Sequence, residues 1–274
     1  DKFGYPLVIK PIDGNHGKGN TTNITTWEQA TRALEAAQGY GRSVICEKFI
    51  RGVDFRVLVI NYKFICAALR TPAAVIGDGE HNIQWLIEET NKDPRRGFGH
   101  EKVLTQITID QFTQKMLDEK GYSIETVPAK GEQVLLKPTA NLSTGGTSTD
   151  VTDEMHPENI VMCERIAKII GLDICGIDIM APDLRTPVSE NGGAILEVNA
   201  APGFRMHIEP AEGLPRNVAE PVIDMLFPDR SNGRIPIIAV TGTNGKTTTT
   251  RLTAHICKTA GRKVGYTTSD GVYI

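Results

Sequence analysis

The sequence contains no CxxC pair and no two histidines at close spacing, so the arrangements that commonly hold structural zinc are missing. No apolar run approaches the roughly 20 residues that a membrane-spanning helix needs. Charge of one sign is not concentrated either. The 30 basic and 33 acidic residues are spread along the chain for a net charge of −3, which leaves no electrostatic footprint for nucleic acid. Internal repeats and low-complexity tracts are absent as well. The cysteines (Cys46, Cys66, Cys163, Cys175, Cys257) are odd in number, irregularly spaced and set in apolar segments, which predicts buried free thiols in a reducing compartment such as the cytoplasm. What is present is an ordinary globular composition, 40% hydrophobic and 23% charged over 274 residues, enough for one large core or one and a half domains.

Leu7-Val-Ile-Lys-Pro11 reads as a short buried strand closed by proline and followed by the glycine-rich stretch Asp13–Gly19. Thr25 and Glu28 have the capping-box spacing, and Ala30, Ala33, Leu34 and Ala37 recur at helical period. Ser43–Ile50 and Asp54–Ile60 read as paired strands around Arg51-Gly-Val53, with Tyr62–Leu69 continuing the sheet. Further on, Ile83–Glu88 predicts a short helix, Asp93–Gly97 a basic loop, Asp110–Lys120 a second helix, Val134–Lys137 a strand and Asn141–Thr149 a loop of small residues. The firmest helix follows Asp153, with Ile160, Cys163, Ala167 and Ile170 on one face and Gly171 at its end. Ile174–Met180 and Ala194–Asn199 are apolar strands with acidic interruptions. A polar, glycine-ended linker over 229–234 divides a domain over 1–228 from one over 235–274. The latter starts with a buried strand, Ile235–Val240, then Thr241-Gly-Thr-Asn-Gly-Lys-Thr247 and a helix. The chain opens on Asp1-Lys-Phe-Gly-Tyr-Pro6 without an initiator Met and stops shortly after that helix, which predicts a piece of a longer protein.

Alternation along a strand sends Asp178 away from Ile177 and Ile179, and puts Glu197 and Asn199 on one face with Leu196 and Val198 on the other. If these strands pair, two carboxylates and an amide oxygen converge, all hard ligands suited to Mg²⁺ held with nucleotide phosphates. A solvated sheet face is the plain alternative for an arbitrary acidic residue, but the apolar runs around these point to a metal or a cation. Ala200-Ala-Pro-Gly203 adds a tight turn whose amides can meet an anion.

Through Lys10, the glycine stretch 13–19, Glu47-Lys-Phe-Ile50, Gly52-Val-Asp54, Asp178 and Glu197-x-Asn199, residues 1–228 resemble the ATP-grasp ligases, which activate a carboxylate as an acyl phosphate for attack by an amine. The resemblance implies ATP and Mg²⁺ as cofactors. Lys10 and Lys18 are then expected on phosphates, with Gly17 and Gly19 allowing backbone approach. Glu47, Lys48, Phe49 and Ile50 are expected along the adenine, Asp54 on ribose, and Asp178, Glu197 and Asn199 on the metal. Arg56, Arg205 and His207 are candidates for stabilising the acyl phosphate or the substrate carboxylate, and an ion pair or surface charge accounts for them equally well. Ser143, Thr144, Gly145 and Gly146, with Gly203, are expected at the substrate.

Strand, glycine loop, Lys-Thr and helix together place backbone N–H groups against phosphate. Val240 stands where the usual P-loop has its first glycine. The shorter Gly242-Thr243-Asn244-Gly245-Lys246-Thr247-Thr248 resembles the Mur ligases, in which Lys246 is expected on phosphate and Thr247 on Mg²⁺. The expected fold is thus the α+β ATP-grasp fold followed by the first strand, P-loop and helix of a Mur-type α/β domain. That domain order, with Gly77-Asp-Gly79, Asp93–His100 and Ser143–Gly146, is similar to the cyanophycin synthetase family. The implied enzyme is cytoplasmic and homo-oligomeric. Its first domain extends an aspartate backbone on a polymer primer, and its second attaches arginine to the side chains. A fused glutathione synthetase, a synthetase using a preformed Asp-Arg dipeptide, and a nucleotide-binding module without turnover are the alternatives.

Overall fold

A computed structural model describes residues 4–12, 19–99, 101–228 and 233–274. The chain divides into two compact units, Asp1–Leu226 and Phe227–Ile274.

The first unit begins with a three-stranded antiparallel sheet. Strand β1 (Leu7–Pro11) lies between β2 (Thr21–Ile24) and β3 (Val44–Lys48), and helix α1 (Trp27–Gln38) covers one face. Ala33 and Ala37 of the helix pack on Ile9 and Ile24. The capping box sits one residue later than the spacing predicts, on Thr26 and Gln29. The Gln29 side-chain oxygen accepts from the amides of both Thr25 and Thr26. The second expected difference is larger. Strand β3 pairs with β1, not with β4 (Val53–Ile60), so Arg51–Val53 is no hairpin turn but the crossing between two sheets. Gly52 makes the crossing possible, because a Cβ there falls 2.4 Å from the Ala181 carbonyl carbon.

After β5 (Lys63–Thr71) the chain builds an insertion from β6 (Ala74–Ile76), α2 (Ile83–Asn91), β7 (Arg96–Gly97), β8 (Leu104–Thr105), α3 (Gln111–Asp118) and β9 (Gln133–Leu135). Its core joins Ile83, Ile87, Leu117, Val134 and Leu136. Lys137, expected at a strand end, is instead buried beneath α3, paired with Asp110 at 2.7 Å and donating to Thr108 O and Thr113 Oγ1. The expected loop of small residues resolves into a turn at Leu142–Thr144 and an edge strand, β10 (Thr147–Asp150), whose threonines suit extended backbone.

Helix α4 (Pro157–Ile170) follows, then β11 (Ile174–Ala181) and β12 (Ala194–Asn199), completing a five-stranded antiparallel sheet in the order β10-β5-β4-β11-β12. Alternation gives this sheet two different faces. Val57, Val59, Cys175, Ile177 and Ile179 pack against Cys163 and Ala167 of α4. Ile170, expected on that stripe, is exposed at the helix end; Gly171 turns left-handed there and Leu172 takes the place against the core. On the opposite face Leu58, Ile60 and Cys66 meet Val218 with Val222 and Met225 of α6 (Ala219–Leu226), while α5 (Arg205–Ile208) brings Met206 onto Ala68. The rest of that face is charged. Cys66, Cys163 and Cys175 are buried as expected, whereas Cys46 is exposed and Cys257 half-buried. Burial pushes the Cys66 and Cys163 thiols up to about 12, which keeps them protonated.

In the second unit α7 (Lys246–Thr259) is followed by a hairpin of β13 (Tyr266–Thr268) and β14 (Gly271–Tyr273). Ile235–Val240, expected as a buried strand, is neither paired nor buried; Ile235, Ile237 and Ile238 are exposed. Among the described residues the two strands of the unit pair with each other and leave it no neighbour. Among the described residues no helix is long and apolar enough to cross a membrane.

Candidate functional site

On the three-stranded sheet Lys10 and Glu47 lie diagonally across β1 and β3, with Nζ 2.6 Å from Oε2. Their side chains are 41% and 43% exposed, so the pair is weak and Lys10 is free to exchange Glu47 for another anion. The Phe49 amide donates to Pro6 O and carries Lys48-Phe49-Ile50 along the sheet edge. Gly17 and Lys18 lie outside the described residues. Gly19 is left-handed, and the space beside it is taken by the Tyr40 ring, 2.7 Å from where a Cβ would be.

Strands β11 and β12 pair with Asp178 opposite Glu197 and Gly176 opposite Asn199, which puts the three side chains on one face. Asn199 Nδ2 donates to Glu197 Oε1 at 3.1 Å. Asp178 is engaged differently. It is 4% exposed and accepts from Arg56 through both oxygens, with Arg56 Nη2 at 3.0 Å from Oδ2, and from Arg70 Nη2 at 2.9 Å. Arg70 also donates to Asp54 Oδ1 through Nη2 at 2.6 Å and Nε at 3.0 Å. Two acids and two guanidiniums thus alternate across β5, β4 and β11. Gly176 makes room for this, since a Cβ there lies 2.9 Å from Arg56 Cδ and 2.8 Å from Pro202 Cβ. Asp54, expected on ribose, is held in this cluster; burial raises its pKa, with Arg70 acting against the rise.

Arg70 is absent from the sequence-derived candidates. The signal for it was the same as for Asp178, one charge inside an apolar strand (Ala67-Ala-Leu-Arg70).

His207 is 2% exposed and its Nε2 has no hydrogen-bond partner among the described residues. Burial, then Arg56, push its pKa down to about 4, with Asp150 opposing the fall and Arg70 adding a smaller push, so the imidazole is neutral at pH 7. It therefore brings no positive charge to an acyl phosphate. Arg205 donates to Lys102 O at 3.1 Å and to Thr105 Oγ1 at 3.3 Å, which ties it to the loop before β8 and not to the Asp178 cluster. Thr144 Oγ1 donates to Asn141 O, beside Ser143 in the same turn. Gly145 is left-handed, and Gly146 passes so close to β5 that a Cβ would sit 2.7 Å from Thr71 O. A Cβ on Gly203 meets nothing within 4 Å, so that turn is open.

In the second unit Gly245 is left-handed and caps α7. The Lys246 ammonium folds back onto the loop, donating to Gly242 O at 2.7 Å and Thr243 O at 3.3 Å. Asn244, Thr247 and Thr248 surround the amide end of the helix, where unpaired N–H groups gather.

Among the described residues no three His, Cys, Asp or Glu side chains converge as a metal group. Glu197 and Asn199 nevertheless leave Glu197 Oε2 and Asn199 Oδ1 without partners among the described residues, a donor pair of hard oxygens on the sheet edge that fits Mg²⁺ sharing its shell with phosphates and water. Asp178 fits less fully, because two guanidiniums already occupy most of its lone pairs.

No family model matches the chain. The cyanophycin synthetase of Trichormus variabilis is 58% identical over 271 residues, 99% of this chain and 30% of that protein. That of Crocosphaera subtropica is 57% identical over 276 residues, 100% of this chain and 32% of the relative. The glutathione biosynthesis bifunctional protein of Pasteurella multocida is 36% identical over 228 residues, 81% of this chain. The crystal structure of a bifunctional glutathione synthetase from the same organism superposes with a TM-score of 0.60 over 81% of this chain and 30% of that one, in keeping with the ATP-grasp α+β class. With identity of this order along its length, the chain belongs to the cyanophycin synthetase family, of whose curated members it spans about 30%.

Proposed function

We infer that the first unit carries the site of an ATP-dependent carboxylate–amine ligase that makes an acyl phosphate and passes it to an amine. The observation that carries this reading is the Glu197–Asn199 oxygen pair on the same sheet face as the Arg56–Asp178–Arg70 cluster. Mg²⁺, held by Glu197 and Asn199, supplies charge neutralisation to the nucleotide phosphates. Arg56 and Arg70 each keep Nη1 without a partner among the described residues, and these groups bind the substrate carboxylate and the oxygens that gain charge during transfer. Asp178 and Asp54 hold the two guanidiniums in place, and neutral His207 closes the site against water. Lys10 leaves Glu47 for phosphate, and Glu47–Ile50 receive the base.

By family, the amino acids are aspartate, added to a polymer primer here, and arginine, attached by a Mur-type domain that begins in the second unit. There Lys246 exchanges the Gly242 and Thr243 carbonyls for phosphate, and Thr247 helps hold Mg²⁺. The enzyme is proposed as a cytoplasmic homo-oligomer. The higher identity and fuller coverage of the cyanophycin synthetases favour this over a glutathione-type ligase.

Glu197→Gln and Asn199→Ala in the full-length protein test the assignment. ADP release with aspartate, arginine and primer is expected to fall at least about a hundredfold while the thermal melt stays in place. Unchanged turnover in both variants overturns it and favours a nucleotide-binding module; omitting each amino acid in turn identifies the substrates.

A further inference from the structure

The basic segment Asp93–Gly97 has no role in the ligase reading. It borders a cleft of about 550 Å³ whose other wall is β10 with Ala211 and Glu212. Arg96 lines this cleft, is 7% exposed, and forms no ion pair among the described residues. Its Nη1 donates to Thr105 O at 2.6 Å and Gly145 O at 3.1 Å, while Nε and Nη2 have no partner among the described residues. Asp93, the acid among the described residues whose field reaches it, is taken by Arg95 at 2.9 Å. A guanidinium buried to this degree without an anion is costly unless a ligand supplies one.

The same cleft is lined by Glu212, whose carboxylate has no ion-pair partner among the described residues. The other charges there cancel in pairs, Lys92 with Glu89 and Arg95 with Asp93. One charge of each sign is therefore left over. The hydroxyls of Thr147 and Thr149 on β10 add hydrogen-bonding groups. A ligand that satisfies this lining is itself dipolar, with a carboxylate for Arg96 and an ammonium or guanidinium for Glu212. The volume is of the size found for small-molecule sites, roughly 300–1,000 Å³.

We propose that this cleft is a second binding site, separate from the phosphate site, for a dipolar amino-acid unit. The unit is either a free amino acid or one carried on a peptide. Because Gly145 O is one of the two acceptors of Arg96, occupancy bears directly on the Ser143–Gly146 segment. The choice of probes, though not the site, rests on the amino-acid reading given above.

The test is equilibrium binding of L-aspartate, L-arginine and the aspartyl-arginine dipeptide to the full-length protein without nucleotide, in the wild type, Glu212→Gln and Glu212→Lys. Glu212 is exposed, so neither variant threatens the fold. At least one probe is expected to bind the wild type, about tenfold more weakly in Glu212→Gln and more weakly still in Glu212→Lys. Tighter binding of the dipeptide assigns the site to a peptide-borne unit, and tighter binding of a single amino acid assigns it to the free form. Absence of binding by all three at millimolar concentration, or binding that ignores Glu212→Lys, overturns the proposal. ATP turnover by the same preparations separates the two readings: an active enzyme whose binding is indifferent to Glu212 overturns this site and leaves the ligase assignment standing.

Discussion

The charged end of the five-stranded sheet and the glycine loop of the second unit both carry cations proposed to meet phosphate or carboxylate oxygens, in opposite states of preparation. Arg56 and Arg70 are buried and held by Asp178 and Asp54 across three strands. Lys246 is exposed and rests on two carbonyls of its own loop. A buried cation held by acids leaves an unpaired charge behind when either partner is lost, whereas an exposed ammonium gives up weak local partners at little cost. On the proposed function, the first arrangement is preorganised for a developing charge and ties function to stability. The second keeps them apart.

Three measurements can break or sharpen this contrast. Arg70→Met leaves Asp54 and Asp178 short of a partner and is expected to destabilise the first unit by about 3–5 kcal/mol in urea unfolding. A cost below about 1 kcal/mol would mean that the cluster is solvated and not prepared. Next in size is the pH response of His207. Its folded pKa of about 4 lies below the ordinary value of 6.5, so the unfolded chain takes up the proton first and stability is lost as pH falls from 6.5 towards 4. The loss is on the order of 3 kcal/mol. The raised pKa of Asp54 has the opposite sign, since the folded state then takes up a proton more readily as pH falls. The measurement is accordingly the difference between wild type and His207→Gln in melts across that window; identical pH profiles would refute it. The smallest effect is expected from Lys246→Ala, which should change stability by less than about 0.5 kcal/mol while reducing retention of inorganic phosphate or nucleotide at the loop. A larger loss of stability would show that the loop depends on the ammonium as the sheet depends on Arg70.

The shared face of Glu197 and Asn199 was legible because strand alternation is a local rule, and Asp178 opposes its isoleucine neighbours for the same reason. The partners of Asp178 were not legible. Arg56 and Arg70 reach it only through the registers of β11 on β4 and β4 on β5. The misplaced hairpin at Arg51–Val53 has a related cause, since two adjacent apolar strands look like a pair until their hydrogen bonds are assigned to different sheets. Ile235–Val240 failed for the reverse reason: its composition suits a buried strand, but within its unit no strand lies beside it.

By itself the sequence determined the types of most elements, the face on which Asp178 and Glu197 leave their strands, and the glycine loop that opens α7. These follow from dihedral preferences and side-chain periodicity over a few residues. Only the tertiary structure decided which charges neutralise one another, that His207 is buried and neutral, and that Arg96 and Glu212 are left over beside a cleft. Those outcomes depend on burial and on distances between segments far apart in the chain, and the free energy of a charge is set by its neighbours in space.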